Sequence, residues 1–262
     1  MLVGLVSSAD LFAGKAEQYA RYRTDYPADV IAAALAAIQL QRSEVVADVG
    51  SGTGMLARWI LDRGNGVVCV EPDEGMRAVA ARRFALEGRQ FISLAGTAEA
   101  TTLPDSSIDV IVAGNAFHYF DPVRARAEAE RILRRRGRVL IVGHADAPAP
   151  CAFMQAYGQF LRSIAGAELA TFHQPDRYAS SLRAFFGTAS VTEADVVQSS
   201  HPMSWDALSG RFRSTSLMPR DGDPRQSEVL AALKQLFDGC AVAGSVEFQL
   251  GWRYAWGTLL PR

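Results

Sequence analysis

The chain has 262 residues, 49% apolar and 21% charged, with a formal net charge of −1. These are the proportions of a globular chain long enough to bury roughly 70–75% of its unfolded surface, and they exclude disordered, collagen-like and disulfide-scaffold readings. Neutralising many phosphates needs a positive surface, so nucleic acid is not expected as a partner.

The opening Met1–Val6 stretch is apolar but lacks the basic flank and length of a signal peptide. No apolar run approaches the roughly 20 residues of a bilayer span. A cytoplasmic protein with no membrane partner is the expectation. Cys69, Cys151 and Cys240 lie far apart, with no metal-binding spacing; reduced thiols and no metal are expected.

Tyr26-Pro27 introduces a helical pattern with Val30, Ile31, Leu35 and Ile38 on one side. From 45 to 142 short β-branched runs alternate with helical patterns. The predicted strands are 45–48, 67–70, 91–95, 108–113 and 139–142, and their continuous apolarity suits a parallel sheet covered on both faces. Helices are predicted over 55–63 and 74–84, the latter with Met76, Val79, Ala80 and Phe84 on one face. A third opens at Asp121-Pro122, an N-cap followed by proline at the first helical position. Alternating βα units argue for an open α/β sheet.

Ala147-Pro148-Ala149-Pro150 breaks the chain. A helix carrying Phe153, Tyr157, Phe160 and Leu161 follows, then a mixed segment over 171–224 with turns expected at Gln174-Pro175, His201-Pro202 and Asp221-Gly222. Val229, Leu230, Leu233 and Phe237 mark a later helix. Strict alternation over 246–256 marks a long closing strand. The predicted division is an α/β core over 1–147, a mostly helical cap over 148–244, and a final strand over 245–262 returning to the core.

The most informative stretch is Asp48-Val-Gly50-Ser51-Gly52-Thr53-Gly54, where a strand ends in three glycines and a helix begins. Backbone N–H groups of such a turn, together with the helix N-terminus, face a ligand. Glu71 ends the second strand, where an acid is placed to bind a ribose's two hydroxyls. The dinucleotide fingerprint spaces its glycines G-x-G-x-x-G, whereas here the spacing is Gly50-x-Gly52-x-Gly54 with Asp48 upstream.

This pattern resembles motif I of the class I S-adenosylmethionine-dependent methyltransferases, in their small-molecule (methyltransferase type 11-like) branch. Further blocks are similar to that family in order: 12–27, Gly96 to Asp105, Ile108 to Ile111, Asn115 to Asp121, and Glu130 to Leu140. The resemblance implies a doubly wound, Rossmann-like sheet of seven strands with the last antiparallel. It implies that Asp48, Gly50, Ser51, Gly52 and Gly54 surround the methionine part of S-adenosylmethionine. Glu71 would take the ribose, while Pro72, Met76, Thr97, Ala98 and Glu99 would line the adenine. Asn115 and Ala116 would lie near the cofactor amino group, and Tyr19 and Arg23 would close over the cofactor from the N-terminal side, Arg23 on its carboxylate. Thr97 stands where the family usually has an acid, and Arg135-Arg136-Gly137 replaces its proline-glycine turn.

The implied activity is methyl transfer to a small-molecule acceptor through an oxygen, nitrogen or carbon nucleophile, leaving S-adenosylhomocysteine. An NAD-dependent oxidoreductase, or a non-catalytic S-adenosylmethionine-binding protein, is the alternative. A monomer or homodimer is expected. His118 is the candidate general base, because it follows the fourth strand and an imidazole titrates near neutrality; a packed or capping histidine is the other reading. Tyr22, Tyr119, His144 and Arg211 are candidate acceptor-binding residues. His173 and His201 sit in turn-rich sequence. The arginines at 131, 134, 135, 136 and 138 read as a solvated helix C-terminus. Arg211 could hold a substrate carboxylate or pair within its own domain, while Phe172, Phe185, Phe186 and Met203 favour an apolar or aromatic acceptor. The Trp252–Trp256 face reads as sheet core.

Overall fold

The structure, a computed structural model, describes residues 12–88, 91–165, 175–187, 191–194, 196–219 and 222–259. Five strands form its parallel part: β1 (Val45–Val49), β2 (Gly66–Val70), β3 (Ile92–Leu94), β4 (Ile108–Gly114) and β5 (Leu133–Ala145). β1 is central, pairing in parallel with β2 on one side and β4 on the other. Both its faces and both its edges are covered, so Val46, Ala47 and Asp48 are fully buried. A parallel strand in that position reads as an apolar run, and Asp48 is the exception.

Three more strands follow, β6 (Val191–Glu193), β7 (Val197–Ser204) and β8 (Ser245–Gly257). The order is β3-β2-β1-β4-β5-β8-β6, with β7 off this path and paired to β8. Among the described residues the sheet therefore has eight strands, one more than the seven expected, seven of them on a single path. β8 runs antiparallel to both β6 and β7, as expected of the last strand.

The helices are α1 (Ala16–Tyr22), α2 (Ala28–Ala37), α3 (Met55–Asp62), α4 (Glu74–Leu86), α5 (Pro122–Ile132), α6 (Ala152–Ile164), α7 (Pro175–Phe186), α8 (Trp205–Arg213) and α9 (Arg225–Cys240). Their starts follow local chemistry. The Asp73 carboxylate accepts the Met76 amide of α4 at 2.7 Å, and Asp121 accepts the Val123 and Arg124 amides of α5, with Pro122 at the first position. Met76, Val79, Ala80 and Phe84 are the buried face of α4, at helical spacing.

Four expectations need correction. First, β5 begins at Leu133, not at 139, so of the arginine cluster only Arg131 lies in the last turn of a helix. The register jumps from Ile108↔Leu133 to Val110↔Arg138, leaving the extra residues of β5 as a bulge with Arg136 at φ 71°. Gly137 sits inside it, where a Cβ would stand 2.7 Å from the Leu133 side chain. The arginines are paired with acids: Arg131 with Glu128 and Asp105, Arg134 with Asp109, and Arg138 with Glu44.

Second, His201-Pro202 is no turn but lies inside β7, opposite Phe248 and Glu247. Third, α8 lies in the segment read as mixed; it is set by the Ser204 N-cap, whose hydroxyl accepts the Ala207 amide at 3.3 Å. Fourth, Phe185 and Phe186 belong to the core of the sheet unit and not to the cap. They are buried with Phe117, Ala129 and Ile132 in the sheet's own core, where the rings of Phe117 and Phe185 meet edge-on at 5.5 Å. The apolar face of α7 covers apolar side chains that would otherwise meet water. Trp252 is fully buried, in keeping with the sheet-core reading. Phe172, His173, Gln174 and Asp221 lie outside the described residues.

The chain divides into two compact units. The sheet unit comprises Asp25–His144, Pro175–Asp195 and Arg253–Arg262; the helix-rich unit comprises Met1–Thr24, Ala145–Gln174 and Val196–Trp252. This division differs from the boundaries at 147 and 244. The N-terminal α1 groups with α8, where the Tyr22 ring lies so close to Gly210 that a Cβ there would stand 2.6 Å from it. α7 groups with the sheet, and β8 passes through both units.

Gly54 gives the first prediction. It sits at φ 79° as the residue before α3, and a Cβ there would lie 2.7 Å from the ring of fully buried Phe84. Left-handed backbone and overpacking each cost about 1–3 kcal/mol. Gly54→Ala should therefore lower the unfolding free energy by about 2–4 kcal/mol in urea titration. A loss below about 1 kcal/mol would show that the turn accommodates a side chain.

Candidate cofactor site

In an open α/β sheet ligands bind beyond the carboxyl ends of the strands, where the strand order reverses. Here that point lies between β1 and β4. The loop leaving β1 carries Gly50, Gly52 and Gly54, all at positive φ. It is folded back onto β2, because the Gly50 and Ser51 amides donate to the Val70 carbonyl at 2.8 and 3.2 Å. The loop leaving β4 comes against it: a Cβ on Gly50 would stand 2.6 Å from that of Ala116.

Glu71 joins two backbones. Its Oε2 accepts the Gly52 amide and its Oε1 accepts the Asp73 amide, both at 2.9 Å. Arg77 donates to the Glu71 and Pro72 carbonyls at 2.7 and 2.8 Å, holding the turn before α4. Glu71 is 8% exposed, and burial raises its pKa while the Asp73 and Gly52 amides lower it. The carboxylate is thus oriented by two amides and keeps further lone pairs, as a carboxylate can accept at about four sites.

Asp48 is the second acid and has the opposite surroundings. It is fully buried, and among the described residues neither carboxylate oxygen makes a hydrogen bond of ordinary geometry; the Ala57 backbone in α3 is the donor nearest to doing so. Burial pushes its pKa up to about 7; the Ala57 backbone opposes this and the neighbouring Glu71 charge adds to it. Thr53 Oγ1, in the loop that follows, is likewise buried with no partner among the described residues. Buried polar groups are nearly always satisfied, so two unpartnered groups five residues apart in the chain stand out. Space is present too: at Gly52, φ 54°, a Cβ would meet nothing within 4 Å.

The other expected residues are placed as follows. Met76 and Ala98 are buried, and Pro72 is half-buried at the start of the β2–α4 turn. Thr97 closes a small bridge with Ala100. Glu99 turns its carboxylate to the Asp121 amide at 2.8 Å, which ties the loop after β3 to the start of α5. Asn115, at φ 55°, has a side-chain role that its sequence context did not announce. Its Oδ1 accepts the His144 amide at 2.9 Å, and its Nδ2 donates to the Tyr26 hydroxyl at 3.2 Å. His118 and Tyr119 lie on the short 3-10 turn Phe117–Tyr119 with their ring centroids 4.0 Å apart, both half-buried.

Tyr19, Tyr22, Arg23 and Arg211 fall in the helix-rich unit. Tyr22 donates to Asp206 of α8 at 3.3 Å. Arg23 donates to Ser214, through Nε to Oγ at 2.9 Å and through Nη2 to the carbonyl at 3.1 Å. Among the described residues no helix is long and apolar enough to cross a membrane, and no group of three His, Cys, Asp or Glu is placed to hold a metal ion.

Comparison with known proteins agrees with this geometry. A family model described as a methyltransferase domain matches residues 47–141, the stretch that holds the glycine loop, both acids and the β4 loop. An uncharacterized methyltransferase of Geobacillus kaustophilus is 32% identical over 170 residues, 63% of this chain and 75% of that protein. The chain belongs to the class I S-adenosylmethionine-dependent methyltransferase family. An uncharacterized methyltransferase of Mycobacterium bovis is 40% identical over 124 residues, 47% of this chain and 48% of its own; this chain thus spans about half the length of that relative. Among solved structures, the YcgJ protein of Bacillus subtilis covers 87% of this chain and 97% of its own at TM-score 0.59 and 20% identity. A methyltransferase of Geobacter sulfurreducens, solved with S-adenosylhomocysteine, covers 98% and 100% at TM-score 0.57 and 17% identity. These two likenesses show the fold.

For this methyltransferase-family chain, Asp48 predicts a pH dependence. Its proton leaves near 3.8 in the unfolded chain and near 7 in the folded one. Between those values the folded state holds the extra proton, so stability falls as pH rises and levels off above 7. Three pKa units correspond to a loss on the order of 4 kcal/mol. Asp48→Asn should remove this contribution, so its melting temperature relative to wild type should climb from pH 5 to pH 8. Equal slopes in the two proteins would show that Asp48 is ionised in the folded state throughout.

Proposed function

We propose that this protein transfers the methyl group of S-adenosylmethionine to a small-molecule acceptor. The observation that carries the reading is the pair of acids flanking Gly52: Glu71 aligned by two amides, and Asp48 buried with no partner. Glu71 would accept the two ribose hydroxyls on its remaining lone pairs. Asp48 and the glycine loop would take the amino-acid end, whose ammonium would restore the charged form of a carboxylate that burial disfavours. Pro72, Met76, Thr97, Ala98 and Glu99 are assigned to the adenine side, Glu99 through its backbone because its carboxylate is engaged by Asp121. Asn115 and Ala116 offer backbone groups beside Gly50.

When bound, S-adenosylmethionine supplies a methyl group on an already activated sulfonium. The chain's own task is then alignment and exclusion of water, worth about 7–11 kcal/mol in well-oriented intramolecular reactions. His118, at the carboxyl end of β4, would take the proton from an oxygen or nitrogen acceptor. A mild base is sufficient for that step.

Titration calorimetry with S-adenosylhomocysteine and NAD tests the assignment. S-adenosylhomocysteine should bind and NAD should not, and Glu71→Ala should weaken S-adenosylhomocysteine about tenfold or more, the worth of one charge-assisted hydrogen bond. NAD binding alone, or an unchanged constant in Glu71→Ala, would overturn it. His118→Ala should leave S-adenosylhomocysteine affinity unchanged and slow turnover about 10²-fold or more with an oxygen or nitrogen acceptor. Full turnover would remove the base.

A further inference from the structure

Arg211 is 5% exposed, yet its guanidinium has little to hold it. It lies over the Phe248 ring at 4.8 Å and makes one long hydrogen bond, to Thr24 Oγ1 at 3.4 Å. Among the described residues no carboxylate reaches it; Asp206, the acid on the same helix, is turned to Tyr22. A second guanidinium adds to the positive charge. Arg23 lies over the Tyr19 ring at 4.7 Å and donates to Ser214, whose hydroxyl in turn donates to the Arg211 carbonyl at 2.6 Å. Tyr157 packs on the same Phe248 ring at 5.5 Å, is 5% exposed, and its hydroxyl has no partner among the described residues. His201, opposite Phe248 in β7, bonds Ser199 through Nε2 at 3.1 Å, and its pKa is lowered by burial and then by the Arg211 charge.

Burying a charge is costly unless it is paired. Like charge makes the cost larger, and burial followed by the Arg23 charge brings the Arg211 pKa down to about 10, so the group stays charged at neutral pH. Burial raises the Tyr157 pKa as well, which keeps the phenol a neutral donor. Two cations and a free phenol with no acid among them form a receptor for an anion. Arginine's planar fork matches a carboxylate in bidentate fashion, and the Phe248 and Tyr157 rings suit an apolar or aromatic body beside it.

We propose that the helix-rich unit holds an oxyanion site of Arg211, Arg23 and Tyr157, and that its ligand is the carboxylate of a small aromatic or apolar acid. Naming this acid the methyl acceptor rests on the methyl-transfer reading above.

Thermal melting of the full-length protein at constant ionic strength tests it, with benzoate, uncharged benzyl alcohol and inorganic phosphate as probes. Benzoate should raise the melting temperature and benzyl alcohol should not. Arg211→Met should weaken benzoate at least tenfold while melting no lower than wild type in the absence of anions, since it removes an unpaired charge. Tyr157→Phe, which removes only a hydroxyl, should weaken benzoate about threefold to tenfold. Equal benzoate responses in wild type and both variants, or stabilisation by phosphate alone, would overturn the proposal. The benzoate shift should persist in saturating S-adenosylhomocysteine. Its disappearance would mean that the site takes the cofactor's own carboxylate, and would overturn the acceptor assignment. Absence of S-adenosylhomocysteine binding would sink the methyl-transfer reading and leave the benzoate result standing.

Discussion

The contact on which the candidate cofactor site depends is the Glu71 carboxylate, which accepts the Gly52 amide with one oxygen and the Asp73 amide with the other. It fastens the loop after β1 to the turn after β2, and each of those loops starts a helix. Asp73 then caps α4 through the Met76 amide, and Gly54 delivers the chain into α3. A charged acceptor bonded to two amides is stronger than a neutral one. That strength suits a junction that must hold its shape while leaving lone pairs for a ligand.

The two acids beside Gly52 sit within one small region and yet differ in kind. Glu71 is buried and satisfied; Asp48 is buried and unsatisfied. A protein that needed only a stable strand at this position would place another valine there, as it does at Val46 and Val49. The acid therefore carries a cost in the free protein, which a cationic ligand group would offset. The same logic applies in the helix-rich unit with the sign reversed, where Arg211 is buried without a carboxylate. Among the described residues, each unit thus holds a buried ionisable group with no partner of opposite charge, and these groups have no evident use in folding alone.

Much of the sheet unit was legible because its signals are local. Continuous apolar runs marked β1, β2 and β4, and the chemistry of Asp121-Pro122 marked the start of α5 within the residue. The glycine spacing with Asp48 and Glu71 carried the family resemblance because turn geometry is written in a few adjacent residues. Where the reading went astray, distant partners decided. The arginines of β5 look like a helix end, but Asp109 and Glu44 draw them into an extended bulge. Pro202 signals a turn, yet the pairing of β7 with β8 carries it within a strand.

The amino-acid sequence by itself determined the βα alternation, the position of the glycine loop and the two acids, since these depend on period, turn residues and short spacing. Only the tertiary structure decided that α1 groups with α8, that Phe185 and Phe186 belong to the sheet's core, and that Asn115 links β4 to His144 and Tyr26. It alone placed Arg211, Arg23 and Tyr157 together with no acid beside them among the described residues. Those residues come from three separate stretches of chain, and whether a charge is paired depends on neighbours that no local pattern records.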